Sequence, residues 1–399
     1  MKKLGKLASL LMVGLLAFAT AACSSPAPAA APAATEAPAA TEAPAATQAP
    51  TATEAPAAPA LKIGIVTSSG VDDGSFGQDC YQGITDFIAK NPNATVNHVK
   101  EPDIAKIVQA AADVIADYDV LVLPGYQFAP IGALMQENPD KKIILVDTAP
   151  TDADGNTVEL PNVYSMTFAE QEGGFFAGIA AALSTKSNKV AVVNGIAYPS
   201  NVNYQYGFMS GVNYANAHYG KSVEVVELPS YAGTDVTGKK VGGNYVGSFA
   251  DEATGKVVGK ALIDKGADII FVAAGATGNG VFTAVKEAQG VYVIGCDVDQ
   301  YDDGANGSSN IILTSTIKNM HLNVTRQLAA IADGTFAGKN DVLDAKTDST
   351  GYVSAPGRQQ LSDDALSKLA EAYELVKNGT IVPAANFNGY TPTDFPGLK

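Results

Sequence analysis

From Leu61 onward the chain alternates short, densely apolar runs with longer segments of mixed character. Leu61–Val66 (LKIGIV) is the first run, and Val120–Leu123, Lys142–Val146, Val190–Val193, Val223–Leu228, Ala267–Ala274 and Val291–Gly295 repeat its character. Runs of this length, rich in Val, Ile and Leu, are what strands buried on both faces look like. Between them, Ile104–Ala116, Phe175–Leu183 and Ala253–Lys265 have the length and amphipathic spacing of helices. Strand–helix alternation predicts parallel sheets built from βαβ units. The stretch 61–399 is more than one such sheet holds comfortably, so the pattern predicts an α/β protein of two doubly wound domains.

The first 60 residues have a different texture. Lys2, Lys3 and Lys6 precede an apolar stretch from Leu7 to about Phe18, and Ala19, Thr20, Ala21 and Ala22 lead into Cys23. That is a secretory signal peptide over residues 1–22, too short in its apolar part for a membrane span. A Cys directly after the small residues is similar to a bacterial lipobox, with Thr20 where Leu is usual, and predicts a lipid on Cys23. Residues 24–60 hold no basic residue and eight of the chain's 21 Pro. The hexapeptide ATEAPA occurs at Ala34–Ala39, Ala40–Ala45 and Ala52–Ala57, with ATQAPT at Ala46–Thr51. Such a repeat offers no apolar face and interrupts helices, so 23–60 reads as a lipidated Cys followed by a semi-extended tether.

Composition then removes whole classes. A formal net charge of −15 without basic clusters disfavours nucleic acid as a partner. Three Cys make no disulfide framework, and three scattered His make no His-rich metal site. Cys80 and Cys296 read either as buried thiols or as a pair.

In open α/β sheets, ligands bind outside the carboxyl ends of the strands. Those ends carry Thr67-Ser68-Ser69-Gly70-Val71-Asp72-Asp73-Gly74-Ser75-Phe76, then Asp147, then Gly275-Ala276-Thr277-Gly278-Asn279-Gly280, then Cys296-Asp297-Val298-Asp299. Gly275–Gly280 lacks the Lys-Ser/Thr of a phosphate-binding P-loop and the dinucleotide spacing; it reads as a tight turn that lets backbone approach a ligand. Asp147, Asp297 and Asp299 could serve as metal ligands, catalytic acids or acceptors. His98, His218 and His321 fall away from the strand ends, which leaves no catalytic triad and favours hydroxyl recognition. Phe76 and the cluster Tyr198, Tyr204 and Tyr206 include rings placed to sandwich a flat group, and Lys318 closes the short run Leu313–Lys318.

Four blocks give a more specific reading. They are Asp72-Asp73-Gly74-Ser75-Phe76-Gly77-Gln78; Glu170-Gln171-Glu172-Gly173-Gly174-Phe175-Phe176-Ala177-Gly178; Tyr245–Asp251 with Gly266–Asp268 and Ala274–Val281; and Ile294-Gly295-Cys296-Asp297-Val298-Asp299-Gln300 with Thr314, Ser315 and Lys318. Together they resemble the basic membrane protein family of ABC-transporter substrate-binding lipoproteins, which includes purine nucleoside receptors. The resemblance runs from about Leu61 to about Ile331.

It implies a type I periplasmic-binding-protein fold: two Rossmann-like lobes with a three-segment hinge, 61–167 plus about 319–345 in one and 168–318 plus about 346–399 in the other. It implies a cleft in which Phe76 and Tyr204 stack on a nucleobase, Asp147 takes the base edge, and Asp297 and Lys318 hold the ribose. Thr67 and Ser68 stand nearby, where some members carry Asp and Asn, and Asp73 and Gly275 complete the implied ligand-binding set. Tyr204 replaces a Phe, and Gly77 an Asn. The implied protein is no enzyme and uses no cofactor or metal. It is a monomer, held by its lipid anchor on the extracytoplasmic face of the cell membrane, that takes a nucleoside to ABC permease subunits. Other readings are a sugar or autoinducer receptor on the same fold, a sensory nucleoside-binding lipoprotein, and an envelope nucleoside hydrolase, of which Asp72-Asp73 is a faint echo.

Overall fold

A computed structural model describes residues 60–399; the expected signal peptide, Cys23 and the tether lie outside the described residues. Six strands form the first sheet: β1 (Lys62–Thr67), β2 (Thr95–Lys100), β3 (Val120–Pro124), β4 (Lys142–Val146), β5 (Val163–Phe168) and β15 (Lys339–Leu343). They pair in the order β15-β5-β4-β3-β1-β2, all parallel. The second sheet holds β6 (Lys189–Asn194), β7 (Glu224–Val225), β10 (Ile269–Ala273), β11 (Tyr292–Gly295), β14 (Ile312–Lys318) and β16 (Thr350–Tyr352) in the order β16-β14-β11-β10-β6-β7. Only β16 runs antiparallel to its neighbour. Two short antiparallel pairs, β8 (Gly233–Thr234) with β9 (Lys240–Gly242) and β12 (Ala305–Asn306) with β13 (Ser309–Asn310), lie in loops of the second lobe.

The two sheets share one strand order, with the second strand outside the first and the later strands on the other side. That reversal puts a topological switch point beside β1 in one lobe and beside β6 in the other, where such sheets bind ligands. The central strands are apolar on both faces because helices cover both: every residue of Val120–Pro124 and Ile269–Ala273 is buried.

In the first lobe, α1 (Phe76–Lys90), α2 (Ile107–Val114), α3 (Ile131–Glu137) and α8 (Met320–Ala332) flank the sheet. Met320, Val324 and Leu328 of α8 share a core with Cys80, Ile84 and Phe87 of α1. In the second lobe, α4 (Glu170–Ser184), α5 (Pro199–Tyr219), α6 (Glu252–Asp264), α7 (Thr277–Lys286) and α9 (Asp363–Lys377) do the same. Leu369 and Val376 of α9 pack in one core with Phe176 and Ile179 of α4. The chain therefore passes between lobes three times, from β5 to α4, from β14 to α8, and from β15 towards β16.

Val223–Leu228, expected as a full strand, is extended only at Glu224–Val225, because it lies at the sheet edge with a single partner. The unheralded α5 begins with Pro199 at its first turn and ends at Gly220 in the left-handed region (φ 63°). It lies very close to α4. A Cβ on Gly178 would sit 2.2 Å from the Phe208 carbonyl oxygen, and one on Gly211 would sit 2.1 Å from that of Phe175. Those glycines let the two backbones meet, which fixes the helix ends that carry Glu170 and Tyr204.

Glu172, also on α4, ties the third crossing. It accepts from Ala345 N at 2.8 Å and from Thr350 Oγ1 at 2.5 Å. Burial pushes its carboxyl up to about 7 against the pull of those two bonds.

Two outcomes follow from this packing. Gly178→Ala should lower stability by about 1–3 kcal/mol in urea unfolding, because backbone rather than a flexible side chain must move. Folded Glu172 holds its proton over a range where the unfolded chain has released it. Stability should therefore fall as pH rises from the ordinary glutamate range to about 7. Glu172→Gln should remove that component, by up to about 3 kcal/mol at alkaline pH, read as the difference between the two stability–pH curves.

Candidate ligand-binding cleft between the lobes

The carboxyl ends of both sheets face one cleft. The first lobe supplies Ser68 and Ser69 after β1, Phe76 at the start of α1, Tyr126 and Gln127 after β3, and Asp147 after β4. The second supplies Tyr198, Ser200, Asn201 and Tyr204 at and within α5, Phe249, Gly275 after β10, Cys296 and Asp297 after β11, and Lys318 at the end of β14. The cavity is about 60 Å³, or about 540 Å³ of empty space with its open mouth included. The smaller figure is room for roughly four to six waters, so a ligand of nucleoside size must part the lobes to enter.

Lys318 organises the floor. Its ammonium is 2.5 Å from Asp147 Oδ1 of the first lobe and 3.1 Å from Glu170 Oε1 of α4, and all three side chains are at most 7% exposed. The rings of Phe76 and Phe168 each lie 5.1 Å from the same nitrogen, and that of Tyr204 lies 5.9 Å away. Burial pulls this ammonium down, but Asp147, Glu170 and Asp297 together outweigh it and hold the pKa above the usual lysine range. Burial pushes the Asp147 carboxyl up to about 7 against the pull of Lys318, and Glu170 adds to the rise.

Asp297 anchors the opposite side. Tyr204 OH donates to its Oδ1 at 2.9 Å, and Ser75 Oγ of the first lobe donates to its Oδ2 at 3.0 Å. Gln300 Nε2 donates to the Gly74 carbonyl at 3.0 Å, a second bond across the cleft. Asp147 and Asp297 follow equivalent strands of the two sheets, and both adopt left-handed backbone, with φ of 68° and 71°. Asp tolerates that region better than most residues, and the turn aims each carboxylate back over its strand end.

Six of the nine expected ligand-binding residues, Phe76, Asp147, Tyr204, Asp297, Lys318 and Ser68, bring side chains to the cleft wall, and Gly275 brings backbone. A Cβ on Gly275 would lie 3.7 Å from Ser69 Cβ of the other lobe, so this position brings the lobes together. Thr67 and Asp73 do not line the cleft. Thr67 is buried behind it, with Oγ1 accepting from Gly70 N at 3.1 Å. Asp73 holds the loop into α1: it accepts from Ser75 N, Gly77 N and Gln78 N at 3.0 Å each and from Ser69 Oγ at 2.5 Å. In this structure both stand behind the cleft wall, where adjacent backbone and hydroxyl donors bond to their oxygens.

Phe76 and Tyr204 both reach the cleft, though Tyr204 meets Phe271 edge-on with ring centres 5.5 Å apart. Beside Tyr198, which the sequence reading named, the cleft carries two rings that it did not single out, Tyr126 and Phe249. Tyr126 of the first lobe meets Tyr198 of the second at 5.1 Å between ring centres, and Tyr198 meets Phe249 at 6.0 Å. Tyr126 and Gln127 follow Val120–Leu123, a strand end that carried the same positional signal as Asp147. Glu170 had no such signal, since it opens a helix. Cys80 and Cys296 are both free and buried, and burial pushes both thiols up.

Two Rossmann-like lobes, three crossings and a polar, aromatic cleft at the strand ends define a type I periplasmic solute-binding protein. The family model described as "ABC transporter substrate-binding protein PnrA-like" (Bmp) matches residues 60–237 and 237–384. The chain belongs to this family and is an ABC-transporter substrate-binding protein. It is 31% identical to the "ABC transporter nucleoside-binding protein BmpA" of Lactococcus lactis subsp. cremoris over 70% of this chain and 77% of that protein. It is 28% identical to the "CD4+ T-cell-stimulating antigen" of Listeria monocytogenes over 79% of this chain and 86% of that one. A solute-binding protein of an ABC transporter system from Aeropyrum pernix K1 has the same fold, with a TM-score of 0.69 at 22% identity, over 82% of this chain and 94% of that chain.

Removing the central cation tests the floor. Lys318→Met leaves Asp147 and Glu170 buried without their cation and should cost about 3–5 kcal/mol in chemical denaturation. Adding Asp147→Asn should recover part of the loss, since one stranded charge is then gone.

Proposed function

We propose that this chain is the nucleoside receptor of an ABC importer, with purine nucleosides as its preferred cargo. A lipid on Cys23 and the ATEAPA tether hold the folded body at the extracytoplasmic face of the membrane, and the closed lobes hand the ligand to the permease. The proposal is of binding, not catalysis: the acids of the cleft are tied to Lys318, Ser75 and Tyr204. Of the pair that echoed a nucleoside hydrolase, Asp73 serves its own loop.

One observation carries the reading: the cleft joins several aromatic rings to carboxylates, hydroxyls and amides, while its single lysine is already committed to two carboxylates. Such a surface favours a flat, uncharged ring bearing hydroxyl and N–H donors, and it repels phosphate. Phe76 and Tyr204 supply aromatic surface for the base, Asp147 the base-edge contact, and Asp297 a carboxyl acceptor for ribose hydroxyls. The name of the Lactococcus relative agrees with it. Cleft closure follows because a ligand touching both lobes stabilises the state in which both contacts exist.

Calorimetry on residues 60–399, unfolded and refolded to strip carried-over ligand, tests this against purine and pyrimidine nucleosides, ribose, glucose and a nucleoside monophosphate. Purine nucleosides should bind best, and the monophosphate at least about tenfold more weakly than its nucleoside. Phe76→Ala should cost about 1–3 kcal/mol of binding. Equal binding of the monophosphate would refute the assignment of the acids, and binding of sugars alone would replace the nucleoside with a carbohydrate.

A further inference from the structure

The floor of the cleft gathers three carboxylates, Asp147, Glu170 and Asp297, around one ammonium. Glu170 does not line the cleft and is only 3% exposed, yet it takes a share of Lys318. Its Oε1 faces the ammonium at 3.1 Å, and its Oε2 accepts from Asn203 Nδ2 of α5 at 3.3 Å. The two oxygens of Asp147 differ in surroundings. Oδ1 is fully buried, with the Lys318 ammonium 2.5 Å away and no hydrogen bond reaching it, whereas Oδ2 is not among the fully buried atoms that lack a partner. A proton taken up by Asp147 therefore goes to Oδ2, the oxygen left for a ligand.

We propose that Glu170 is a positioning residue which, by sharing Lys318 with Asp147, sets whether Asp147 Oδ2 meets the nucleobase as an acceptor or as a donor. This rests on the nucleoside reading above and adds a rule of base selection to it. With Oδ2 bare, the site favours a base edge that presents an N–H. With Oδ2 protonated, it favours an edge that presents a ring-nitrogen acceptor. Asp147 is placed for such a switch because burial pushes its carboxyl up to about 7.

The groups facing Asp147 are Lys318 of β14, Glu170 of α4, Asp297 after β11 and the Cys80 thiol of α1, and the Tyr204 phenol of α5 joins the same cluster through Asp297. Burial pushes both Cys80 and Tyr204 up, so neither ionises near neutrality. Behind Cys80, on the same helix, Asp79 pairs with His321 at 2.8 Å, and that hydrogen bond raises the imidazole. His321 is therefore a second group whose proton affinity is raised, and a change at Glu170 separates the two because it leaves the His321 pair intact.

The probes are inosine, whose six-membered ring carries an N–H, and purine riboside, whose base edge carries acceptors only. Their affinities for residues 60–399 are measured by calorimetry from about pH 5.5 to about pH 8.5, through the Asp147 transition. The preference for inosine over purine riboside should rise about tenfold across that range, the size of one hydrogen bond gained or lost. Glu170→Gln removes a negative neighbour and gives Lys318 wholly to Asp147, so the same rise should occur at lower pH. Asp147→Asn should abolish the pH dependence; it serves as the deciding variant should Glu170→Gln fail to fold, which its thermal melt reports. A ratio independent of pH in the unaltered protein, or an unshifted midpoint in a folded Glu170→Gln protein, overturns the inference while leaving nucleoside binding intact. No binding of either nucleoside at any pH instead overturns the nucleoside reading itself.

Discussion

A single buried ammonium joins the parts of this molecule that must act together. Lys318 ends β14 of the second lobe, meets Asp147 of the first, and meets Glu170 where the chain has just passed from one lobe to the other. Its charge is costly to desolvate, and so are the carboxylates', so each is tolerable only with the others in place. Opening the cleft must stretch or break the Lys318–Asp147 contact while Lys318–Glu170 stays within its lobe. The ion cluster thus couples the floor of the site to the hinge.

Around that cluster the two lobes repeat one another, and the repetition explains the chemistry of the cleft. Each sheet has the same strand order, and each presents an Asp with left-handed backbone after the equivalent strand. The partners then diverge. Asp147 faces a cation in a nearly dry setting, whereas Asp297 takes hydroxyl donors from Ser75 and Tyr204. Two carboxylates at equivalent places in the sheets are thereby given different partners.

Much of the cleft was legible because one rule, that ligands meet the carboxyl ends of parallel strands, converts strand positions into site positions. It singled out Ser68, Phe76, Asp147, Gly275 and Asp297, all of which line the cleft. Thr67 and Asp73, which it also marked, turn to their own loops instead, since proximity in sequence to a strand end does not say which way a side chain turns. The long helix α5 escaped notice because it is wedged between other elements and shows little amphipathic pattern; its Tyr and Asn residues face the cleft, the α4 backbone and the C-terminal segment alike. Edge strands β2, β15 and β16 were invisible for the opposite reason, being short and polar enough to resemble loops.

The α/β class and the presence of two sheets were set by local pattern, because apolar runs of strand length between helical segments can bury themselves in few other ways. The cleft residues too had their types written in the chain. Which of them share a proton, a cation or a wall was decided only by tertiary structure. Residues 76, 147, 170, 204, 297 and 318 come from separate elements and meet only when both sheets have formed and the chain has crossed between them. Electrostatic energy depends on distance and on burial, and neither is a property of the sequence until the lobes have closed on each other.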